Sequence, residues 1–475
     1  MIQNYESSST WTAILYLVTL SILMLVGNTI RRKIPIFRKS LLPTAVIAGL
    51  LGLVLKELLV KPLASRDIIL SMANLELFNQ FLNLVTYHTL AIGFIAMGLK
   101  INEKIEIKTN KAHSYYNGMV IVSTYLLQGI IGIGITLLLA YTVLPVFKTG
   151  PGLATGLLLP FGYGQGPGQA NNFGLIYELF DPNGFQGAQS YGLAMASMGF
   201  IWASIGGVFY LNRFKKMKVT GEERVSTLTS LQEIETPDEI PVAESMDKMT
   251  VQIALILAVY GATLLTMFGL SKLVSLNDGI YKMVNPLIWG FNFIFGMVLA
   301  IVAKKLFVFL RKTGLMTRQY PNNFMLNRIA GVVFDVMVVS SILAINVEDL
   351  SGNIWIAFLL ISTVGGASTM IYLHLLTKRI YKEYALEAFA GMFGMLTGTA
   401  SSGIALLREV DPYYKTPAAT DLVTGTTTAI LFGLPILLIA SYAPQGILQS
   451  LISFAVLSVL FIVFVMFMYK KHPKA

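Results

Sequence analysis

Long stretches without a charged side chain constrain this chain more than any other feature. Residues 11–30, from Trp11 to Ile30, carry no charge, and Arg31, Arg32 and Lys33 follow at once. A helix rises about 1.5 Å per residue and the hydrocarbon core of a bilayer is roughly 30 Å thick, so about 20 apolar residues in a helix cross it. Comparable runs lie near 41–60, 84–99, 117–147, 189–211, 250–274, 286–303, 329–347, 353–376, 420–442 and 446–469. The expectation is an all-α polytopic membrane protein with eleven spans. Composition agrees: 55% of the 475 residues are hydrophobic and 13% charged, which excludes an ordinary soluble enzyme, a disordered chain and a collagen-like repeat. A transmembrane β-barrel is disfavoured because its strands alternate polar and apolar residues. With no cysteine there is neither a disulfide framework nor thiol chemistry.

The net charge of +10 is spread over many short segments and forms no single patch, so it does not point to nucleic acid. Met1 to Thr10 carries Glu6 and no basic residue, unlike a secretory signal, so the first span reads as a retained anchor with the N-terminus outside. Most of the 35 Lys and Arg residues then fall in cytoplasmic segments, among them Arg38 and Lys39, Lys104 and Lys108, Arg213 to Lys218, Lys304 and Lys305, Lys378 and Arg379, and Lys470 and Lys471. The outer segments keep Lys61, Arg66, Lys148, Lys272 and Lys282, and Lys56 lies within the second span. That bias is what the positive-inside rule expects of a membrane protein with its C-terminus in the cytoplasm.

Two segments cannot be ordinary spans. In 150–180, apolar arms flank Phe161-Gly162-Tyr163-Gly164-Gln165-Gly166-Pro167-Gly168-Gln169-Ala170-Asn171-Asn172. Alternate glycines and a proline oppose a continuous helix there. In 384–413 an apolar arm to Leu396 leads into Thr397-Gly398-Thr399-Ala400-Ser401-Ser402-Gly403, then a short arm ends at Asp411-Pro412. Each should enter the membrane, break and return, and broken backbone at membrane depth is tolerated where protein buries it or it lines a wet cavity. Four spans precede the first broken segment and one follows it, and the same count recurs from 250 to 442. The expected organisation is a first repeat 1–211, a polar cytoplasmic linker 212–249, a second repeat 250–442, and an extra helix with a basic tail at 443–475. An odd number of spans per repeat would leave the copies inverted across the membrane, the arrangement of secondary transporters. The alternative, glycines that merely permit close helix packing, fits a single motif better than two matched ones.

These motifs identify a resemblance: over about residues 11–442 the chain resembles the bacterial sodium:glutamate symporters. The resemblance rests on the duplicated plan, on the tip Gly162 to Gly168, and most specifically on Thr397-Gly398-Thr399-Ala400-Ser401-Ser402-Gly403-Ile404-Ala405-Leu406-Leu407-Arg408-Glu409-Val410-Asp411-Pro412. At the first tip Phe161-Gly162-Tyr163-Gly164 stands where the best-known members carry Gly-Gly-His-Gly. The resemblance implies a fold shared with the hydroxycarboxylate transporters, an elevator mechanism, a homodimer, and Na+-coupled uptake of glutamate or a similar acidic amino acid, with no cofactor beyond the coupling ion.

A dicarboxylate needs donors and Na+ needs oxygens, and half-helix ends with small polar side chains supply both. Position at the tips assigns Gly164, Gln165, Gly166, Thr399, Ala400, Ser401, Ser402 and Gly403 to substrate. Gln169, Asn171 and Thr397, with Asp421 and Thr424 at the start of the following span, are the ion candidates. Arg408 is either an anion clamp, since a guanidinium grips a carboxylate with two bonds, or a snorkelling residue paired with Glu409 or Asp411. Asp335 either faces an ion path or pairs with Arg328 near the interface, and Asn28 and Asn292 read as interhelical hydrogen-bonding groups. His88 and His374 offer proton relays, though isolated polar residues in spans are usually satisfied structurally. No catalytic or transition-metal motif such as HExxH is present, so the chain reads as a carrier and not an enzyme. The competing expectations are a carrier of another carboxylate on the same fold, coupled to H+ or Na+, and an ion channel.

Overall fold

The computed structural model describes residues 9–64, 72–100, 111–180, 183–218, 242–316, 320–412 and 415–470. Among them the chain is helical with no strand. In order come α1 (Ser9–Lys33), α2 (Thr44–Leu55, continuing through a wide turn Lys56–Val60 to Ala64), α3 (Met72–Leu99) and α4 (Lys111–Thr142). A short arm from Gly150 to Gln165 leads to α5 (Pro167–Glu178), and α6 (Ala188–Ile201) runs on through a wide turn Trp202–Gly206 to Lys218. Then follow α7 (Val242–Val274), α8 (Asp278–Gly290), α9 (Asn292–Lys312), α10 (Asn323–Leu343), α11 (Ile354–Ile380), α12 (Ala385–Thr397), α13 (Ala400–Arg408), α14 (Ala418–Tyr442) and α15 (Ile447–Lys470).

Nine described helices are long and apolar enough to cross a membrane, which makes this a multi-pass helical membrane protein. The two remaining expected spans, 41–60 and 420–442, fall on α2 and α14, outside those nine. Helix ends differ from the apolar runs, because apolarity marks the buried stretch and not the hydrogen-bonded ends. Thus α10 starts at Asn323, six residues before its apolar run, and the run 286–303 is divided at Phe291 between α8 and α9. Most of the expected linker, with Arg66, Lys104, Lys108 and the end of the basic tail, lies outside the described residues.

The chain forms two compact units. The first comprises residues 1–87, 107–211 and 335–475. Lipid is as apolar as leucine, so helices in a membrane pack through small residues and buried hydrogen bonds. Gly27 of α1 abuts Ala48 of α2, and Gly425 of α14 abuts Asn117 of α4. At Gly132 and Gly156 the backbone of α4 touches the backbone of the first arm so closely that a Cβ on either residue would collide with the other's peptide group. Lys56, buried in the wide turn of α2, donates to Leu343 O (2.6 Å), Ile345 O (2.8 Å) and Asn79 Oδ1 (3.2 Å), and so caps the carbonyl end of α10.

The second unit comprises residues 88–106 and 212–334. Its core gathers Ile95, Ala96 and Leu99 with Ile256, Val259, Ala300, Leu326, Ile329 and Ala330. Gln252 stitches it internally, donating to Tyr320 O (2.7 Å) and accepting from Asn322 N (3.1 Å).

Candidate functional site

Both broken segments belong to the first unit, and each is a hairpin. Thr149 Oγ1 accepts from Gly152 N (2.9 Å) to start the first arm, which widens over Phe161–Gln165. The break is one residue: Gly166 has φ 89° and ψ 174°, a conformation essentially reserved for glycine. Pro167 then opens α5, where its missing N–H costs nothing. The chain returns on itself, since the rings of Phe161 and Phe173 stack at 4.0 Å across the turn. The other glycines of the run serve close packing: Gly162 lies against the backbone of α6 at Ala196, and Gly164 against the ring of Tyr125.

In the second segment α12 ends at Thr397, Gly398 and Thr399 are non-helical, and α13 runs back. Gly394 sits where a Cβ would come within 2.7 Å of Gly403 Cα and Ser402 O, so two glycines let the arms touch. With nine residues, α13 is about 14 Å long, well short of a bilayer core.

The two tips meet. A Cβ placed on Gly166 would lie 3.9 Å from Thr399 Cγ2, an ordinary van der Waals contact. Around that meeting point Gly164, Gln165 and Thr399 are half-buried while Ala400 and Ser401 are exposed, so the tip residues border open space. Ser402 and Gly403 turn the other way and are buried. One face of α4 holds both tips: Tyr125 Oη donates to Gly164 O (3.0 Å), and three residues later Gln128 Nε2 donates to Leu396 O (3.0 Å) and to Thr369 Oγ1 (3.0 Å). Tyr163 Oη fastens the first arm to Ser362 O of α11 (2.7 Å). Sequence reading missed Tyr125, Gln128 and Thr369, because nothing local separates them from ordinary polar residues in an apolar helix.

The ion candidates divide into three places. Gln169, Asn171 and Thr397 are buried within the hairpins, with Asn171 Oδ1 accepting from Gln189 Nε2 (3.0 Å) and Thr397 Oγ1 donating to Phe393 O (2.7 Å). Asp421 and Thr424 lie at the base of the second hairpin, about 20 Å along α12 from its tip. There Asp421 accepts from Asn117 Nδ2 (2.9 Å) and Tyr384 Oη (2.6 Å), Tyr381 Oη donates to Asn117 Oδ1 (2.6 Å), and Asn117 Nδ2 also reaches Thr424 Oγ1 (3.4 Å). Burial, and then the bond to Asp421, push the Tyr384 phenol upward. Asp335 stands in the middle of α10, exposed, and the cation it senses is Arg31 of α1.

Arg408 ends α13, exposed, about 12 Å along the helix from Ala400. Nearby, Asp411 accepts from Lys415 N (2.8 Å), Thr416 N (2.8 Å) and Thr416 Oγ1 (2.6 Å), closing the loop that follows α13. Burial would raise its carboxyl, but the bonds from Thr416 and Lys415 outweigh that and hold it below the ordinary carboxylate value. The two candidate relay histidines pair with tyrosine: His374 Nδ1 with Tyr210 Oη in the first unit, and His88 Nδ1 with Tyr260 Oη (2.6 Å) in the second. Asn292 also hydrogen-bonds Tyr260. A cavity of about 270 Å³ opens away from the tips, at the base of the first hairpin, between Lys148, Phe180, Asn183 and Gln445.

No protein-family model matches this chain, and no curated protein matches it.

Proposed function

We propose that this protein is a secondary transporter that couples inward movement of an acidic amino acid, glutamate, to Na+. The observation that carries the reading is the meeting of two interrupted helices at Gly166 and Thr399, bordered by residues open to solvent and fastened from one helix. In this reading the hairpins belong to inverted repeats, one dipping from each side of a bacterial inner membrane, in a protomer that works as an elevator within a homodimer. Gly164, Gln165, Gly166, Thr399, Ala400 and Ser401 take the substrate. The start of α13 presents backbone N–H groups to a carboxylate, and the carbonyl end of α12 favours a cation. Each charge moved inward down 100 mV releases about 2.3 kcal/mol, so one or two sodium ions suffice to concentrate an anion.

The test is uptake of labelled glutamate into proteoliposomes with and without an inward sodium gradient. Uptake driven by the gradient supports the reading, and glutamate binding that is equal in sodium-free buffer defeats the coupling. Competition by malate or citrate distinguishes a hydroxycarboxylate carrier, and absence of counterflow exchange would favour a channel.

A further inference from the structure

The cavity at the base of the first hairpin takes no part in the proposed transport path. It lies between the two ends of that hairpin, at Lys148 to Pro151 and at Phe180 and Asn183, and the turn from Pro444 to Ile447 that leads into α15. Its volume of about 270 Å³ has room for about nine water molecules, too little for a drug-sized ligand and enough for a small polar headgroup.

The groups around it are donors. Lys148 carries the charge, and among the described residues no carboxylate lines the cavity or lies within ion-pair distance of that ammonium. Asn183 and Gln445 add carboxamides. Thr149 Oγ1 accepts from Gly152 N, which leaves its own hydrogen to give. Ile447 opens α15, a helix of 24 residues whose first N–H groups have no partner within the helix. One cation with several neutral donors suits a singly charged anion such as a phosphodiester.

Depth in the membrane decides which anion. The span of α4 ends at Thr142 and that of α15 begins at Ile447, so the cavity lies where spans end. Tyr141 and Tyr442 are both exposed there, and the Lys148 ammonium lies 4.7 Å from the centre of the Tyr141 ring. Exposed tyrosines beside a lysine mark the boundary between lipid and water. Val146, Leu179 and Leu448, each within two residues of a lining residue, are exposed as well. A polar hollow with bare apolar side chains at its rim matches a molecule with an anionic head and hydrocarbon tails, whereas a free anion gains nothing from that rim.

We propose that this cavity binds the headgroup of a phospholipid, with the phosphate on Lys148 and the acyl chains along Val146, Leu179 and Leu448. The bound lipid braces the base of the first hairpin against α15. Contact there is already close: Ser450 Oγ donates to Ala443 O (2.8 Å) and reaches Gly150 O (3.4 Å), and a Cβ on Gly150 would collide with the backbone of Pro444 and Gly446. The helix outside the expected repeats thereby gains a task of its own, whatever the tips carry.

The test follows the melting temperature of the purified full chain in lipid-free detergent as dioleoylphosphatidylglycerol is added. Wild type is expected to melt later, with a saturable dependence on the lipid. Lys148→Gln, Gln445→Ala and Val146→Asn are each expected to raise the half-saturating concentration roughly three- to tenfold. Lys272→Gln, at an exposed lysine of the second unit that does not line the cavity, should coincide with wild type. Two further compounds separate the sources of the anion: dioleoylglycerol has the same chains without a phosphate, and inorganic phosphate has no chains. Neither should stabilise. Equal stabilisation by dioleoylglycerol overturns the headgroup site, and stabilisation by inorganic phosphate that Lys148→Gln abolishes makes it a free-anion site and overturns the lipid. A wild type without saturable stabilisation, or a Lys148→Gln curve that matches wild type, overturns the proposal outright. Should Lys148→Gln fail to fold, an unchanged curve for Gln445→Ala does the same.

Discussion

Gly166→Ala tests whether the first tip depends on a conformation only glycine can hold. At φ 89° and ψ 174° a β-carbon strains the local backbone, at a cost of order 1–3 kcal/mol. The opposite tip adds nothing to that figure, since the new methyl would meet Thr399 Cγ2 at 3.9 Å. A loss of about 1–3 kcal/mol shifts the ratio of intact to disrupted tip by roughly 5- to 150-fold, and where only the intact form binds, apparent affinity falls by up to that factor. Gly261→Ala on α7 is the control, because Gly261 has nothing within 4 Å of its missing Cβ and sits inside a helix. It should gain about 0.5–1 kcal/mol. The assay is melting of the purified protein in detergent alongside equilibrium binding of labelled glutamate. Gly166→Ala is expected to melt earlier, bind more weakly, or both, whereas Gly261→Ala melts later with unchanged binding. A Gly166→Ala protein that matches wild type in both measurements would refute the strain reasoning.

Tyr384→Phe removes one of the donors to the buried Asp421 carboxylate and should cost about 1–3 kcal/mol, read as a lower melting temperature that Asn117→Leu does not add to in full. Lys56→Met deprives Leu343 O and Ile345 O of a charged donor, with an expected loss of about 1.5–3 kcal/mol; an unchanged melting point would count against its capping role. Asp411 is held below its unfolded value, so its stabilisation is present above about pH 4 and fades as pH falls through the lowered value. Asp411→Asn should therefore melt below wild type at neutral pH, with the gap closing in acid; a gap independent of pH would assign its effect to packing.

Much of the architecture is legible in the chain itself, because a bilayer leaves few solutions to an apolar run of about 20 residues. The two hairpins are legible for the same reason: neither 150–180 nor 384–413 offers an unbroken apolar helix. What the pattern blurs is position. Four alternating glycines suggest a diffuse break, yet only Gly166 leaves the helical region, and Gly162 and Gly164 serve as contact surfaces for α6 and Tyr125. Partnerships across the fold are illegible in principle from one sequence. Gln128 lies 268 residues from Leu396, and Asn117 lies 304 from Asp421. A local window shows a glutamine in an apolar helix and nothing of the strand of backbone it grips. Asp335 illustrates the same limit, since the cation whose field reaches it is Arg31 of α1, while the guanidinium of Arg328 on its own helix lies over Phe324.

The seam between Gly132 and Gly156 has a mechanical consequence. Ordinary helix contacts are cushioned by side chains that change rotamer, and so absorb small displacements before passing them on. Here peptide groups bear directly on one another, with no such slack. Any tilt of α4 is delivered undamped to the first arm, so the two behave as one rigid lever, and flexing during a working cycle must be found at joints elsewhere along the hairpin.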